Sequence, residues 1–400
     1  LKHKTRVSEL LSNMNESATI AMAQRARDLS AKGHDVINLS IGQPDFDTPD
    51  HIKEAAIEAL RQGHTKYTPV PGLVELREAI SKKFKRDNQL EYAANQIVIS
   101  NGAKQGIANV ALALLQAGDE VLLPTPYWVS YSEIIKMTGA QVVEISSGVE
   151  ADYKITPAQL ESAITTNSKM FIFSSPCNPS GSVYNEDELE ALAEVFRRYE
   201  DIIVVSDEIY EYINFSDAHC SIGSLKDMQH RTVTVNGFSK GFAMTGWRLG
   251  YMGAPKWIAD ACSKIQGQFT SGATNFGQRA AITALNSDLE PTRKMCAAFL
   301  ERRNKVVAGL RQIEALEVNE PQGAFYVFPE IDNLFGRNSS SGVINNADDF
   351  CEHLLSKYYV SVVSGSAFGN PKCMRISYAS SLDVMMEAVA RISKAVSELD

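Results

Sequence analysis

The sequence lacks a long Lys/Arg run, a CxxC pair, an internal repeat, a low-complexity tract and any apolar stretch near the ~20 residues that span a bilayer. Each absence excludes something. The 39 Lys+Arg are outnumbered by 48 Asp+Glu, giving a net charge of −9. Neutralising phosphates takes a concentrated basic face, so neither nucleic acid nor a membrane is an expected partner. The six cysteines, Cys177, Cys220, Cys262, Cys296, Cys351 and Cys373, are scattered without zinc-like spacing. They point to reduced, mostly buried thiols and away from a disulfide framework or a metal site. Leu1–Ser17 is too polar for a signal-peptide core, and a cytoplasmic location is expected. What is present is ordinary globular material: 400 residues, 44% hydrophobic and 22% charged, enough for two or three packed units with a large core.

From about residue 48 to 255 two periodicities alternate. Asp47–Gly63 predicts a helix, with a cap at Asp47 or Thr48, Pro49 in the first turn, Ile52, Ala56, Ala59 and Leu60 on one face, and Gly63 as a stop. Short apolar or β-branched runs follow at Gln96–Ile99, Glu120–Leu123, Gln141–Ile145, Met170–Phe173, Ile202–Val205, Arg231–Val235 and Gly250–Met252. Most are separated by helix-length segments such as Gly106–Gln116 and Asn185–Tyr199. Strands that are apolar throughout and alternate with helices predict an α/β fold, its mainly parallel sheet covered by helices. After about residue 290 the pattern becomes α+β, which predicts a smaller second domain. It has a helix Glu290–Gln312, strands Ala315–Asn319 and Ala324–Pro329, a helix Ala347–Lys357, strands Val360–Val363 and Met374–Tyr378, and a helix Leu382–Glu398. The polar stretch Phe335–Asn346 reads as a flexible surface loop.

Open α/β sheets hold ligands beyond the carboxyl ends of their strands, so the residues there matter most. The first is Ser100-Asn101-Gly102-Ala103-Lys104-Gln105-Gly106, a glycine-containing turn into a helix. Such a turn suits a phosphate, though a purely structural role is as good a reading of it alone. It is neither a Walker loop nor a dinucleotide fingerprint. Asp207 ends an apolar strand, either as a helix cap or as a carboxylate awaiting a cation. Gly237-Phe238-Ser239-Lys240-Gly241 satisfies the GxSxG pattern of hydrolases. The triad would then need His353, the one histidine after Ser239, which reads as a polar-face residue of an amphipathic helix. The same segment places Lys240 at a strand end with Arg248 eight residues later, which suits a Schiff-base lysine whose pKa is lowered by burial and cationic neighbours. A phosphate-bearing aldehyde cofactor would engage Lys240, Arg248, the turn Gly102–Lys104 and Asp207 together. Pyridoxal phosphate is that cofactor, its ring nitrogen held as a cation by an Asp.

These residues resemble a known family. Gly42-Gln43-Pro44-Asp45-Phe46, Lys66-Tyr67-Thr68-Pro69, Ser100–Gln105, Pro126–Tyr131, Ser175–Gly181, Ser206–Tyr210, Ser239–Tyr251 and Arg375–Ala379 occur in the order found in fold type I pyridoxal-phosphate enzymes. The chain is similar to the class I aminotransferases, and among them to the bacterial aspartate aminotransferase subgroup. The resemblance implies a large cofactor-binding domain over residues 48–290 and a small domain built from residues 1–47 and 291–400. It implies that Lys240 binds the cofactor as a Schiff base and shuttles the proton, and that Asp207 pairs with the ring nitrogen. Asn178 and Tyr210 would bond the phenolic oxygen, and Trp128 would stack on the ring. Gly102, Ala103, Lys104 and Arg248 would hold the phosphate, with Tyr67 reaching in from the other subunit of a homodimer. Arg375 would grip the substrate α-carboxylate in a fork, and Gly42 would line the substrate side. Amino acids and 2-oxo acids are the implied substrates.

The chain departs from the family pattern in places. Cys177 replaces an Asn beside Asn178, which alters only packing. Gly237 stands where many relatives have a phosphate-binding Ser, so one phosphate contact is expected to be missing, with Ser239 a poor substitute at a different phase. Ser271–Asn275 offers no Arg for a distal carboxylate, and Lys104 takes that role in the resembled subgroup. Asn15 stands where prephenate-accepting members tend to have Lys, which argues against prephenate. The expectation is therefore a ping-pong aminotransferase for aspartate and 2-oxoglutarate. The alternatives are an aromatic, alanine, kynurenine or prephenate/arogenate aminotransferase, a β-lyase, and, more distantly, a regulatory module, disfavoured because only about 40 residues precede the cofactor fold.

Overall fold

The structure is a computed structural model that describes residues 7–12, 14, 16–216, 218–340 and 342–400. Its strands are β1 (Ile37–Asn38), β2 (Ile97–Ser100), β3 (Glu120–Pro124), β4 (Gln141–Ile145), β5 (Ser168–Ser174), β6 (Ile203–Asp207), β7 (Thr232–Gly237), β8 (Gly250–Gly253), β9 (Tyr326–Val327), β10 (Asn338–Ser339), β11 (Gly342–Val343), β12 (Val360–Ser361), β13 (Val363–Ser364) and β14 (Met374–Ser377). β2 to β8 form one seven-stranded sheet in the order β2-β8-β7-β6-β5-β3-β4. β8 runs antiparallel to both its neighbours and the other pairings are parallel.

Alternation along the strands explains the layers. Val204 and Phe171 enter one core cluster while their chain neighbours Val205 and Ile172 enter another. Val98 likewise points opposite to Ile97 and Ile99. Side chains of successive strand residues leave opposite faces of the pleat, so strands apolar at every position need helices on both sides. The helix Ala103–Leu114 covers one face, packing Ile107, Val110 and Ala111 there with Ile258 and Cys262 of the helix Lys256–Phe269. Leu189, Leu192 and Phe196 of the helix Glu186–Arg198 cover part of the other face.

A smaller domain packs beside the sheet. Its strands β13, β14 and β9 form an antiparallel set, and β1 pairs in parallel with β12. Its core joins residues from both chain ends: Ile37 and Leu39 lie in one cluster with Phe299, Phe325, Leu354 and Ile392.

Several local expectations are corrected. The helix predicted over Asp47–Gly63 spans Asp50–Arg61 and has no side-chain cap. Thr48 Oγ1 instead donates to Ala243 O at 2.7 Å and accepts from Trp247 Nε1 at 3.0 Å. Leu60 is exposed, outside the buried face of Ile52, Ala56 and Ala59. Ala315–Asn319 is not a strand but makes a single bridge, Glu317 to Glu330, because turns at Ile313–Leu316 interrupt it. Phe335–Asn346 contains the short antiparallel pair β10–β11 and is tied to the chain end by the backbone bonds between Asn338 and Asp400. His353 is buried, at 2% exposure, with its ring 5.4 Å from that of Tyr358. It shares the inner face of its helix with Phe350 and Leu354, so it is a core residue, and the triad reading loses its histidine.

Candidate active site

Four strand ends deliver the polar residues to one place. After β2 the chain enters the helix Ala103–Leu114 through Gly102, which sits at φ 83°, a conformation that glycine adopts without strain. A Cβ on Gly102 would collide with Arg248 Nη2, and one on Gly250 would collide with Ala103 N. The glycines therefore let Arg248 lie against the first turn of that helix. The N–H groups of Ala103 and Lys104 have no acceptor within their own helix and add a positive dipole end. After β5 comes Asn178, after β7 comes Lys240, and β6 ends on Asp207 itself.

A cavity of about 320 Å³ is lined by Gly42, Ala103, Lys104, Trp128, Asn178, Asp207, Tyr210, Lys240, Arg248 and Arg375. Ten of the twelve residues singled out from the sequence thus converge. Gly102 shapes the wall from behind through its contact with Arg248. Tyr67 does not join them: it projects into solvent, 97% exposed. Asn15 lies outside the described residues.

The charges in this cavity are unbalanced. Lys104, Lys240, Arg248 and Arg375 face a single carboxylate, Asp207. Burial, with Arg375 and Arg248 nearby, lowers the pKa of Lys240 to about 8. Burial and Arg248 lower that of Lys104, and burial lowers that of Arg375. Asp207 is raised to about 6 by burial, against the bonds it accepts from Tyr131 Oη at 2.7 Å and Ile209 N at 3.2 Å. Arg375 is 1% exposed and, among the described residues, has no carboxylate partner. It donates to Asn178 Oδ1 at 3.0 Å and to Ser40 O at 2.5 Å, and its Nε has no partner. Lys240 Nζ donates to Gly42 O at 2.6 Å. Buried cations with neutral partners call for anionic ligands.

Sequence reasoning missed or misjudged several residues here. Tyr326 closes the floor: its hydroxyl bonds that of Tyr210 at 2.7 Å, its ring lies under the Arg375 guanidinium at 4.6 Å, and a Cβ on Gly42 would collide with its hydroxyl. No motif marks Tyr326, because its role comes from the sheet register of β9 against β14. Ser239 also lines the cavity, with Thr245, although strand phase gave no ground to expect it there. The reason is geometric. β7 ends at Gly237, where a Cβ would lie 3.0 Å from Leu249 O and Gly250 Cα, and the chain turns before Ser239, so strand phase no longer predicts direction.

Pyridoxal phosphate fits this donor set: a lysine of lowered proton affinity, an acid fixed at a strand end, and a helix N-terminus with an arginine for the phosphate. The chain matches the family "Aminotransferase class I and II" over residues 34–392. It is 47% identical over 395 residues to a "Bifunctional aspartate aminotransferase and glutamate/aspartate-prephenate aminotransferase" of Petunia hybrida, covering 98% of this chain and 82% of that one. It is 43% identical to an "Aspartate/prephenate aminotransferase" of Nitrosomonas europaea, covering 98% and 100%. Among solved structures, the aspartate aminotransferase of Rhizobium meliloti superposes with TM-score 0.95 at 38% identity, covering 99% and 100%. That of Thermus thermophilus with maleate gives 0.91 at 37%, covering 97% and 99%. With the cation-rich cavity at its strand ends and these likenesses over nearly its whole length, the chain belongs to the class I and II aminotransferases and is a pyridoxal-phosphate-dependent enzyme of their aspartate aminotransferase-like branch.

Proposed function

We propose that the enzyme transfers the amino group between L-aspartate and 2-oxoglutarate, giving oxaloacetate and L-glutamate in a ping-pong cycle. The observation that carries this reading is the cation surplus of the cavity. After a phosphate is assigned to Arg248 and the first turn of Ala103–Leu114, Arg375 and Lys104 remain for two further carboxylates. Arg375 suits the α-carboxylate, since its fork is fixed by Asn178 and Ser40 and guanidinium geometry matches a carboxylate. Lys104 suits the distal one: its Nζ is held 4.9 Å from the Trp128 ring centroid. Ser17 and Thr19, at the start of the helix Ala18–Ala31, line the same cavity. The Thermus relative was solved with maleate, itself a dicarboxylate.

Bound pyridoxal phosphate supplies an electron sink for the substrate α-carbon. Asp207, steadied by Tyr131, would hold the ring nitrogen. Tyr210, Asn178 and Trp128 would hold the ring. Ser239, Thr245 and Arg248 would hold the phosphate. Lys240 Nζ takes the α-proton of the bound amino acid and later returns one, a role for which a pKa near 8 is suited.

The domains proposed are 48–290 and 1–47 with 291–400, supported by the β1–β12 pairing of the two chain ends. A homodimer is proposed in which Tyr67, exposed here, enters the other copy's cavity at Arg248; Tyr67→Phe should weaken cofactor retention in a particle of dimer mass. The unpaired thiols support a reducing compartment, here the cytoplasm.

Prephenate as an acceptor is a second reading. Ile20 and Ile41 line one side of the cavity and are partly exposed, offering an apolar wall to a ring, and relatives carry prephenate in their names. Steady-state kinetics on Lys104→Ala tests the main reading. The variant should lose about tenfold in kcat/KM for aspartate while alanine is unaffected, and unchanged aspartate kinetics would remove the dicarboxylate assignment. Running prephenate beside 2-oxoglutarate in the same assay decides the second.

A further inference from the structure

Asp207 and Tyr210 are carried on one turn, and the acids beside them, Glu208 and Glu211, enter a separate buried cluster. Glu208 accepts from Ser221 Oγ at 2.6 Å, Ser206 Oγ at 2.9 Å and Asn88 Nδ2 at 3.1 Å, and lies 2.9 Å from His219 Nε2. Glu211 pairs with Lys83 and accepts from Asn88 Nδ2 at 2.8 Å, while Lys83 Nζ donates to Asn88 Oδ1 at 2.6 Å. Lys83 is wholly buried. None of these side chains lines the cavity. Glu208, Glu211 and His219 converge as metal ligands would, but Lys83 already provides the cation, and a metal ion would be set against it.

We infer that Glu208 and His219 are positioning residues for transamination: they fix the turn that carries Asp207 and Tyr210, and they set the charge immediately behind Asp207. The inference rests on Asp207 as the partner of the cofactor's ring nitrogen. Two observations support it. The turn is held from behind by side chains of two other stretches of chain, Lys83 with Asn88 and His219 with Ser221, and by Ser206 of its own strand, so its backbone cannot shift without unpairing buried polar atoms. The acids are also paired, Glu211 with Lys83 and Glu208 with the His219 imidazole. Glu208 already pushes the proton affinity of Asp207 upward, so an uncharged residue 219 would add to that push.

Among the described residues, these charged and titratable groups lie around His219. Glu208 and Glu211 belong to the turn, and Lys83 comes from the helix Val74–Asn88, with Asp87 of that helix bonded to Tyr212. Cys220 adjoins His219 in the chain, and Arg293 lines with it a surface groove of about 470 Å³, which gives the imidazole a route to solvent protons. Burial pushes its pKa down, but the charge and hydrogen bond of Glu208, with Glu211, outweigh this and hold it above the ordinary value.

The test uses the cofactor-loaded full-length enzyme and the variants His219→Leu, His219→Gln and Glu208→Gln. Four quantities are read: kcat, KM, the pH midpoint of the cofactor's visible band, and the cofactor dissociation constant. Changes to a buried polar partner of a site residue cost on the order of tenfold. His219→Leu is expected to lower kcat about tenfold, leave KM within about twofold, loosen the cofactor about tenfold and move the midpoint up. His219→Gln keeps a donor without the charge, so it should recover most of kcat and keep the upward shift. Glu208→Gln also removes what holds the His219 proton, so both charges go together and the midpoint should move less than in His219→Leu. The inference is overturned if all midpoints and dissociation constants equal those of the unaltered enzyme, including the case where the variants only melt at lower temperature. The midpoint does not depend on which amino acid is the substrate, so this result and the aspartate assignment fail separately. Absence of a visible band in the unaltered enzyme would instead overturn the reading of Lys240 and the cofactor site on which the inference rests.

Discussion

Asp207 and Glu208 are neighbours in the chain and both are buried, yet they serve regions built on opposite rules. The cavity that receives Asp207 holds four cations and one acid, and its hydrogen bonds run to neutral partners. The cluster that receives Glu208 pairs its acids internally, Glu211 with Lys83 and Glu208 with the His219 imidazole. A buried ionic group that already has its partner acts by holding what surrounds it, whereas one that lacks a partner is reserved for something that arrives. The surplus in the cavity is what an anionic cofactor and dicarboxylate substrates fill.

Substitutions on the two sides should therefore fail differently. Lys240→Ala removes a cation the cavity holds at a cost. Turnover should fall by about 10⁴-fold or more, while the cofactor-free protein melts no lower than the unaltered one; retained turnover would remove Lys240 from the chemistry. Lys83→Met breaks a paired charge in the Glu208 cluster, and denaturant unfolding should show a loss of about 3–5 kcal/mol. An unchanged midpoint would mean that the cluster does not stabilise the fold. Arg375→Lys keeps the charge but loses the fork. About a 100-fold fall in kcat/KM, close to 3 kcal/mol, is expected, carried mainly by KM, and kinetics within twofold of the original would contradict the carboxylate role. The smallest effect is on pH. With its pKa lowered to about 8, Lys240 should take up cofactor at a rate that rises about tenfold per pH unit below that value and levels above it. A rate still climbing toward the ordinary lysine range would mean that burial has not shifted it.

The cavity was far more legible in the sequence than the cluster. Asp207, Lys240 and the turn Gly102–Lys104 follow apolar runs, and in this fold class strand ends hold ligands, so local pattern located them. The sheet was legible for the same reason, since most of its strands are apolar at both phases. Long-range register was not. Tyr326 reaches Tyr210 through pairing of β9 with β14, and Asn88 meets Glu208 across 120 residues of chain. No local pattern carries such contacts. His353 was misjudged because local phase gave the wrong side of its helix, and Ser239 lies past the end of a strand, where phase says nothing of direction. Tyr67 makes no contact with the cavity of its own chain, so only the resemblance pointed to it.

The unbalanced cavity is tested most directly by following the visible spectrum of the purified, cofactor-loaded protein as amino acids are added. The account predicts a band that bleaches with aspartate and glutamate at far lower concentrations than with alanine, and that returns on adding 2-oxoglutarate or oxaloacetate. A band that responds equally to alanine, or no band after cofactor is supplied, would contradict it.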